Sequence, residues 1–435
     1  MSTYAADYRQ KLTAADEAVA RIENGSTIVH GATTAEPPAL LAAIAERARA
    51  GELNDLKIYS FNPQKHVAET VFAPDLCDCI QAYSWFVSGS DRSKVKVGLN
   101  YFVPIYLHQI PRLIRDYMAI DMTITTVSPM DKAGYFSFGT ANDFTSTAAR
   151  HCKRLIVEVN EHMPRVFGDS LIHISEVDAI VENHVPLMEL IPPASKPEDP
   201  AIGEAIAGLV PNGATIQLGI GGIPNAVAKY LDGHKDLGIH SELIVPGMVE
   251  LIEKGVVTGR KKTLHPRKAV FTTALGTRKM YEFMNDNPSM ESYPASYVLD
   301  PAVIAQNDNM IAINSILEVD LLGQCNAEFL AGSQFSGTGG QLDFVRGAFQ
   351  ARGGMSILAF YSTAKNGTVS RIVPRFPTGT TVTTPRMDTH YLVTEYGVAD
   401  LKNMSTRERA LAIISLAHPR FREELLREAE NMYLI

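Results

Sequence analysis

Short apolar runs of strand character alternate along this chain with longer stretches of helical periodicity. Thr215 to Leu218 alternates as a strand does, and Leu155 to Val159 and Ser356 to Phe360 are compact apolar segments of strand length. Helical patterns lie between them, which predicts open α/β layers rather than a helical bundle or a β-sandwich. The pattern also repeats. Gly25, Thr27 and Gly31 recur as Gly213, Thr215 and Gly219, and Leu56, Ile58 and Ser60 recur as Leu237, Ile239 and Ser241. The first spacing is 188 residues and the second 181, so the intervening loop and helix are shorter in the second copy. Further on, Asp131 and Gly134 face Asp320 and Gly323, 189 residues apart.

The duplication predicts two similar open α/β domains. Pro192, Pro193, Pro197 and Pro200 cluster among polar residues and mark a linker, which puts the boundary near 198 and the domains at 1–198 and 199–435. Near the C-terminus, Ser405 and Glu408 form a capping box, and that helix runs to Pro419, where another begins.

A chain of 435 residues is too long for one ordinary core. Its hydrophobic share of 46% and charged share of 20% are those of a soluble globular protein, and no apolar run is long enough to span a membrane. The N-terminus has no basic stretch followed by an apolar core, so a cytoplasmic location is expected. Cys77, Cys79, Cys152 and Cys325 show no metal-binding spacing and read as free thiols. The net charge of -8, without a long basic run, argues against nucleic acid and anionic membranes as partners.

Three stretches could carry chemistry. In TIQLGIGGIPNAV, Gly219, Gly221 and Gly222 form a turn before a helix opened by Pro224. Such a turn presents backbone N–H groups to a phosphate or a developing oxyanion, although glycines there can also serve sterics alone. A dinucleotide fingerprint would need a third glycine where this chain has Pro224, with an acidic residue about twenty positions on. In SGTGGQLDFVRGAF, Gly337, Gly339 and Gly340 precede a second helical segment, and no GKS or GKT follows to make it a P-loop. The third stretch ends at Glu242, where the first copy has Phe61. A carboxylate near a strand end in one copy alone reads either as a surface charge or as a functional group. Glu158, Glu318, Asp320 and Glu395 compete with it. His240 reads as a packing residue turned away from Glu242. No GxSxG elbow or HExxH motif occurs.

The motifs GIHSE, GIGGIP, INSILEVDLLGQ, SGTGGQLDFVRGA, RIVPRF and VTEYGVADLKNMSTRERALAIISLAHPRFREELLREA together resemble the acetyl-CoA hydrolase/transferase family, a branch of the class I CoA-transferases. Within it the chain is similar to the 4-hydroxybutyrate or butyrate/acetate CoA-transferase group. The resemblance implies two similar α/β domains with the active site at their interface, and a nucleophilic glutamate at Glu242. It implies that Gly219, Ile220, Gly221, Gly222 and Ile223, with Gly339 and Gly340, form the coenzyme A and oxyanion-hole loops, and that Lys365 contacts the coenzyme A phosphates. Acyl-CoA and a small carboxylic acid would be the substrates, no metal would be needed, and a homodimer or homotetramer would be usual. Where the group carries a polar stretch after this glutamate, the chain has Leu243 to Gly247, which bears on the acid accepted. Butyrate, acetate, 4-hydroxybutyrate and a dicarboxylate such as succinate or itaconate are all open. Acyl-CoA hydrolysis and a catalytically silent acyl-CoA sensor are the alternatives to transfer.

Overall fold

A computed structural model describes residues 3–191, 194–219 and 221–435. Two compact units are present. The first comprises 1–190, 270–298 and 334–339, and the second 191–269, 299–333 and 340–435.

The first unit holds strands β1 (Thr27–His30), β2 (Leu56–Ser60), β3 (Ile80–Ser84), β4 (Asn100–Phe102), β5 (Ile120–Val127), β6 (Cys152–Val159) and β7 (Ala179–Glu182). They form one parallel sheet in the order β7-β6-β5-β1-β2-β3-β4. Helix α1 (Pro38–Arg49) connects β1 to β2. Proline at its start loses no helical hydrogen bond. Its apolar stripe of Leu40, Leu41, Ile44, Ala45 and Ala48 is buried against Ile28, Ile58 and Ile124 of the sheet.

The second unit repeats this plan. Its strands β8 (Thr215–Leu218), β9 (Gly238–Ile244), β10 (Met310–Ser315), β11 (Met355–Ala359), β12 (Tyr391–Thr394) and β13 (Gly397–Asp400) lie in the order β13-β12-β11-β10-β8-β9. All pairs are parallel except the β12–β13 hairpin. Helix α2 (Gly222–Tyr230) connects β8 to β9 and stands for α1. The expected α/β duplication is therefore present as a repeated topology.

Matched residues do matched work. The Gly25 amide donates to Asn54 O at 3.0 Å and the Gly213 amide to Lys235 O at 2.9 Å, both glycines having φ near +80°. Gly31 and Gly219 each donate, at 2.9 Å, to Ile124 O and Ile313 O. Asp131 accepts from the amides of Ala133 and Tyr135, and Asp320 accepts from those of Leu322 and Gln324, at 2.8–3.0 Å. Gly134 and Gly323 close these two turns at φ +88° and +86°.

The units are discontinuous, whereas a single linker near 198 predicts continuous halves. Long-range pairings account for the difference. Strand Met290–Ser292 pairs in parallel with Phe167–Gly168, and Arg165 bridges Asp131 at 2.9 Å and Asp286 at 2.8 Å. The segment 334–339 joins the first unit through Arg92, whose Nε donates to Phe335 O at 2.6 Å and whose guanidinium stacks over the Phe335 ring.

The capping box forms as expected. Glu408 N donates to Ser405 Oγ and Ser405 N to Glu408 Oε2, at the start of a helix spanning Thr406–Ser415. The four cysteines are free thiols. Among the described residues, no helix is long and apolar enough to cross a membrane. Nor, among them, could any group of His, Cys, Asp and Glu side chains hold a metal ion.

Candidate active site

Glu242 lies in β9, two residues from its end, and is half-buried. Its Oε2 accepts a hydrogen bond from the Gly340 amide at 2.8 Å. Gly340 is the N-cap of helix α3 (Gln341–Gln350), so the carboxylate rests where the helix dipole favours negative charge. Close approach is what requires glycine here. A Cβ on Gly340 would strike Leu299 Cδ2 and come within 2.5 Å of Glu242 Oε2. Gln341 Nε2 donates to Ser315 O at 2.8 Å and ties the start of the helix to the end of β10.

The first glycine turn follows β8. Gly221 caps α2 with φ +134°, a backbone conformation that strains any residue with a Cβ. Beneath Gly219, Gln217 and Asn314 form a buried reciprocal amide pair at 3.0 and 2.9 Å. A Cβ on Gly219 would meet Asn314 Oδ1. Gly222 opens the helix and Ile223 is buried in it; Ile220 lies outside the described residues.

Gly339, at φ +55°, belongs to the first unit, where its carbonyl accepts from Leu107 N at 3.2 Å. Gly337 packs there against the Trp85 carbonyl and Phe86. Lys365 is exposed on the turn of the hairpin formed by Thr363–Ala364 and Val369–Ser370, where its carbonyl accepts from Thr368. The structure thus brings Gly340 onto Glu242.

His240 requires a correction. Two-residue periodicity along β9 places it on the same side as Glu242, not the opposite one. It is fully buried, with its ring 6.3 Å from that of Phe344, so packing is still its visible role. The apolar stretch after Glu242 is core. Leu243, Ile244 and Val245 are buried, and Pro246 opens the next helix.

The competing carboxylates have structural partners. Glu395 accepts from Ser362 N at 3.0 Å and Ser362 Oγ at 2.5 Å. Glu318 accepts from Asn326 Nδ2 at 2.8 Å, and Asp320 holds its own turn. Glu158 is fully buried and accepts from Ala39 N, Leu40 N and Asn183 Nδ2 at 3.0, 3.1 and 2.7 Å. Burial pushes its pKa up to about 7 despite those donors. A cleft of about 920 Å³ within the first unit contains none of the expected site residues. Two of its cations, Arg165 and Arg278, are paired with Asp131, Asp286 and Glu282.

A duplicated parallel α/β frame, with a strand-borne carboxylate at a helix N-cap in one copy alone, defines the class to which this molecule belongs. Residues 1–192 match the acetyl-CoA hydrolase/transferase N-terminal domain and residues 276–429 its C-terminal domain. The chain is 45% identical to a succinyl-CoA:cyclohexane-1-carboxylate CoA transferase of Geobacter metallireducens, over 99% of this chain and 97% of that one. It is 44% identical to a 4-hydroxybutyrate coenzyme A transferase of Clostridium kluyveri, over 98% and 99% of the two chains. The crystal structure of RipA from Yersinia pestis superposes with a TM-score of 0.97 at 50% identity, covering all of both chains. The protein belongs to the acetyl-CoA hydrolase/transferase family.

Proposed function

We propose that the protein is a CoA-transferase that moves coenzyme A between a short-chain acyl-CoA and a carboxylic acid, through a thioester on Glu242. The observation that carries this reading is the 2.8 Å hydrogen bond from the Gly340 amide to Glu242 Oε2, in the copy that alone bears the carboxylate. CoA-transferase relatives matched over nearly the whole chain support the substrate class.

The chemistry runs in balanced steps. An ionised glutamate needs no general base to attack. One oxygen of Glu242 adds to the thioester carbonyl and coenzyme A leaves as thiolate, giving an acyl-glutamyl anhydride. The thiolate then attacks the glutamyl carbonyl, the first acid departs as carboxylate, and a glutamyl-CoA thioester remains. A second acid reverses both steps and leaves as the new acyl-CoA. During attack on the glutamyl carbonyl, charge develops on a carboxyl oxygen of Glu242. The Gly340 amide already lies at that position, so it serves as a preorganised donor. One such donor is worth about 3–4 kcal/mol. The Gly219–Ile223 turn and Lys365 are proposed to hold the coenzyme A moiety. The accepted acid is proposed to be of the 4-hydroxybutyrate, butyrate or acetate type.

Incubation with acyl-CoA alone, followed by borohydride or hydroxylamine trapping and peptide mapping, tests this. A transferase accumulates an adduct on Glu242 and turns over when an acid is added. Turnover without added acid would make the protein a hydrolase, and absence of both adduct and turnover would make it a sensor.

A further inference from the structure

One arginine of the second unit is set apart by what it lacks. Arg371 is partly buried, yet among the described residues its guanidinium meets no hydrogen-bond or ion-pair partner. Exposed arginines of the same unit do find partners, Arg346 at Asp388 and Arg352 at Asp308. A guanidinium carries five N–H donors, and withdrawing them from water without replacement is unfavourable.

The backbone of Arg371 is fixed on both sides. Its N donates to Ser362 O at 2.9 Å, and Val319 N donates to its O at 3.0 Å. The next residues, Ile372–Val373, pair in parallel with the strand Glu318–Asp320. Arg371 thereby stands at the base of the hairpin formed by Thr363–Ala364 and Val369–Ser370, whose turn carries Lys365. Burial lowers its pKa, and the nearby Tyr361, Glu395 and Glu318 oppose that shift. Both carboxylates are engaged elsewhere, Glu318 by the Asn326 side-chain amide and Glu395 by Ser362 N and Oγ. Their field favours the arginine charge and leaves its donors unused.

The place in the fold limits what those donors can meet. Ser362 follows the end of β11 and Glu395 the end of β12, so the cluster lies at the C-terminal edge of the second sheet. Glu242, near the end of β9, and Gly219, directly after β8, lie at the same edge. In open parallel sheets ligands lie across this edge, where the strand order reverses, which here is between β8 and β10. From β9 to β11 is three strand spacings, about 14 Å. A four-carbon dicarboxylate held at Glu242 reaches on the order of 5 Å and falls short. The pantetheine arm of coenzyme A reaches on the order of 15 Å when extended, and it ends in phosphates.

We infer that Arg371 receives a phosphate of coenzyme A, its guanidinium left unpaired by the fold so that a bidentate phosphate contact can replace water. The inference rests on the proposed reading that the coenzyme A sulfur reacts at Glu242. The phosphate is either the diphosphate or the 3′-phosphate of the nucleotide end, and one series of ligands separates them.

Binding of coenzyme A, dephospho-coenzyme A and pantetheine is titrated calorimetrically to the full chain as wild type, Arg371→Gln and Arg371→Lys. In Arg371→Gln a rise in Kd of tenfold or more is expected for coenzyme A, with pantetheine binding unchanged. The same rise with dephospho-coenzyme A identifies the diphosphate, and a rise confined to coenzyme A identifies the 3′-phosphate. Arg371→Lys keeps the charge but loses the planar fork, so it falls between wild type and Arg371→Gln. An arginine that serves structure alone would shift Tm and weaken all three ligands alike, or none of them. Either result overturns the inference. If Arg371→Gln does not fold, Arg371→Lys decides by the same criterion. The proposed function is read separately. Wild type that shows the Arg371-dependent phosphate preference but forms no adduct on Glu242 with acyl-CoA would remove the transfer chemistry and leave the phosphate contact standing.

Discussion

The two copies share strand order, turn geometry and even the amides that close each turn, and they part at a few side chains. At the end of β2 the first copy has Phe61, buried with its ring 5.2 Å from Phe86 and 6.2 Å from Phe144. At the matched place the second has Glu242 on a helix cap. Two residues beyond the matched Ile124 and Ile313, Thr126 pairs with Glu158 and Ser315 with Ala359, so the polarity reverses there. One copy satisfies its anion-attracting amides internally and packs the neighbouring position with rings. The other brings a half-buried carboxylate to a helix end. A common scaffold thus yields a structural half and a chemical half through exchanges that leave the backbone plan untouched.

The largest expected effect is at Glu242. Glu242→Ala removes the nucleophile and abolishes transfer while leaving coenzyme A binding, and Glu242→Asp retains little because its carboxylate is withdrawn by one methylene. Steady-state turnover with a parallel binding titration checks this. Near-normal turnover of Glu242→Ala would transfer attention to Glu395.

Gly340→Val comes next. Its side chain has no room between Leu299 and Glu242 Oε2, so the amide must move off the carboxylate. A loss of about 10²–10³ in kcat is expected, the cost of one oxyanion donor. An unchanged kcat would show that the amide serves structure alone.

The comparison can also be attacked from the first copy. Phe61→Glu places a carboxylate at the repeat position among the rings of Phe86 and Phe144. Burying it there should cost about 3–5 kcal/mol of stability. The double variant Phe61→Glu, Glu242→Ala should remain inactive. Recovered turnover in that variant would mean that the strand position suffices and the helix cap does not matter.

Much of this asymmetry was legible in the sequence, because Phe61 and Glu242 directly follow the matched residues Ser60 and Ser241. The α/β plan was legible for the same reason, since strand and helix periodicities are local. Two features were not. The Gly340 amide reaches Glu242 across 98 residues, and only the packing of α3 shows that a glycine chosen for close approach touches the carboxylate. The equivalence of Glu158 and Ala359 depends on strand register, which intervening loops of unequal length conceal. The discontinuous units arise likewise from pairings such as Glu291 with Phe167, which no local pattern announces.

The smallest effect lies in the pH dependence of stability, and it probes what the internal carboxylate costs. Burial pushes Glu158 and Glu36 each up to about 7, from an ordinary value of 4.5. Glu36 faces His66 at 3.0 Å and also feels Asp91, while Glu158 feels His66 and is held by Asn183. A carboxyl whose pKa is higher in the folded state binds more protons there. Its stabilising contribution is complete below about pH 4.5 and is lost as pH rises through 7. His30 works in the opposite direction. Burial lowers it to about 4, so its contribution is present above 6.5 and lost as pH falls through 4. Glu158→Gln removes one falling term and leaves the His30 term in place. Relative to wild type, its Tm should therefore climb between pH 4.5 and 7 and level off above, by an amount on the order of 1–3 kcal/mol in stability. A difference that stays constant across that window would mean that Glu158 keeps one charge state throughout. The amides of α1 would then offset its desolvation fully.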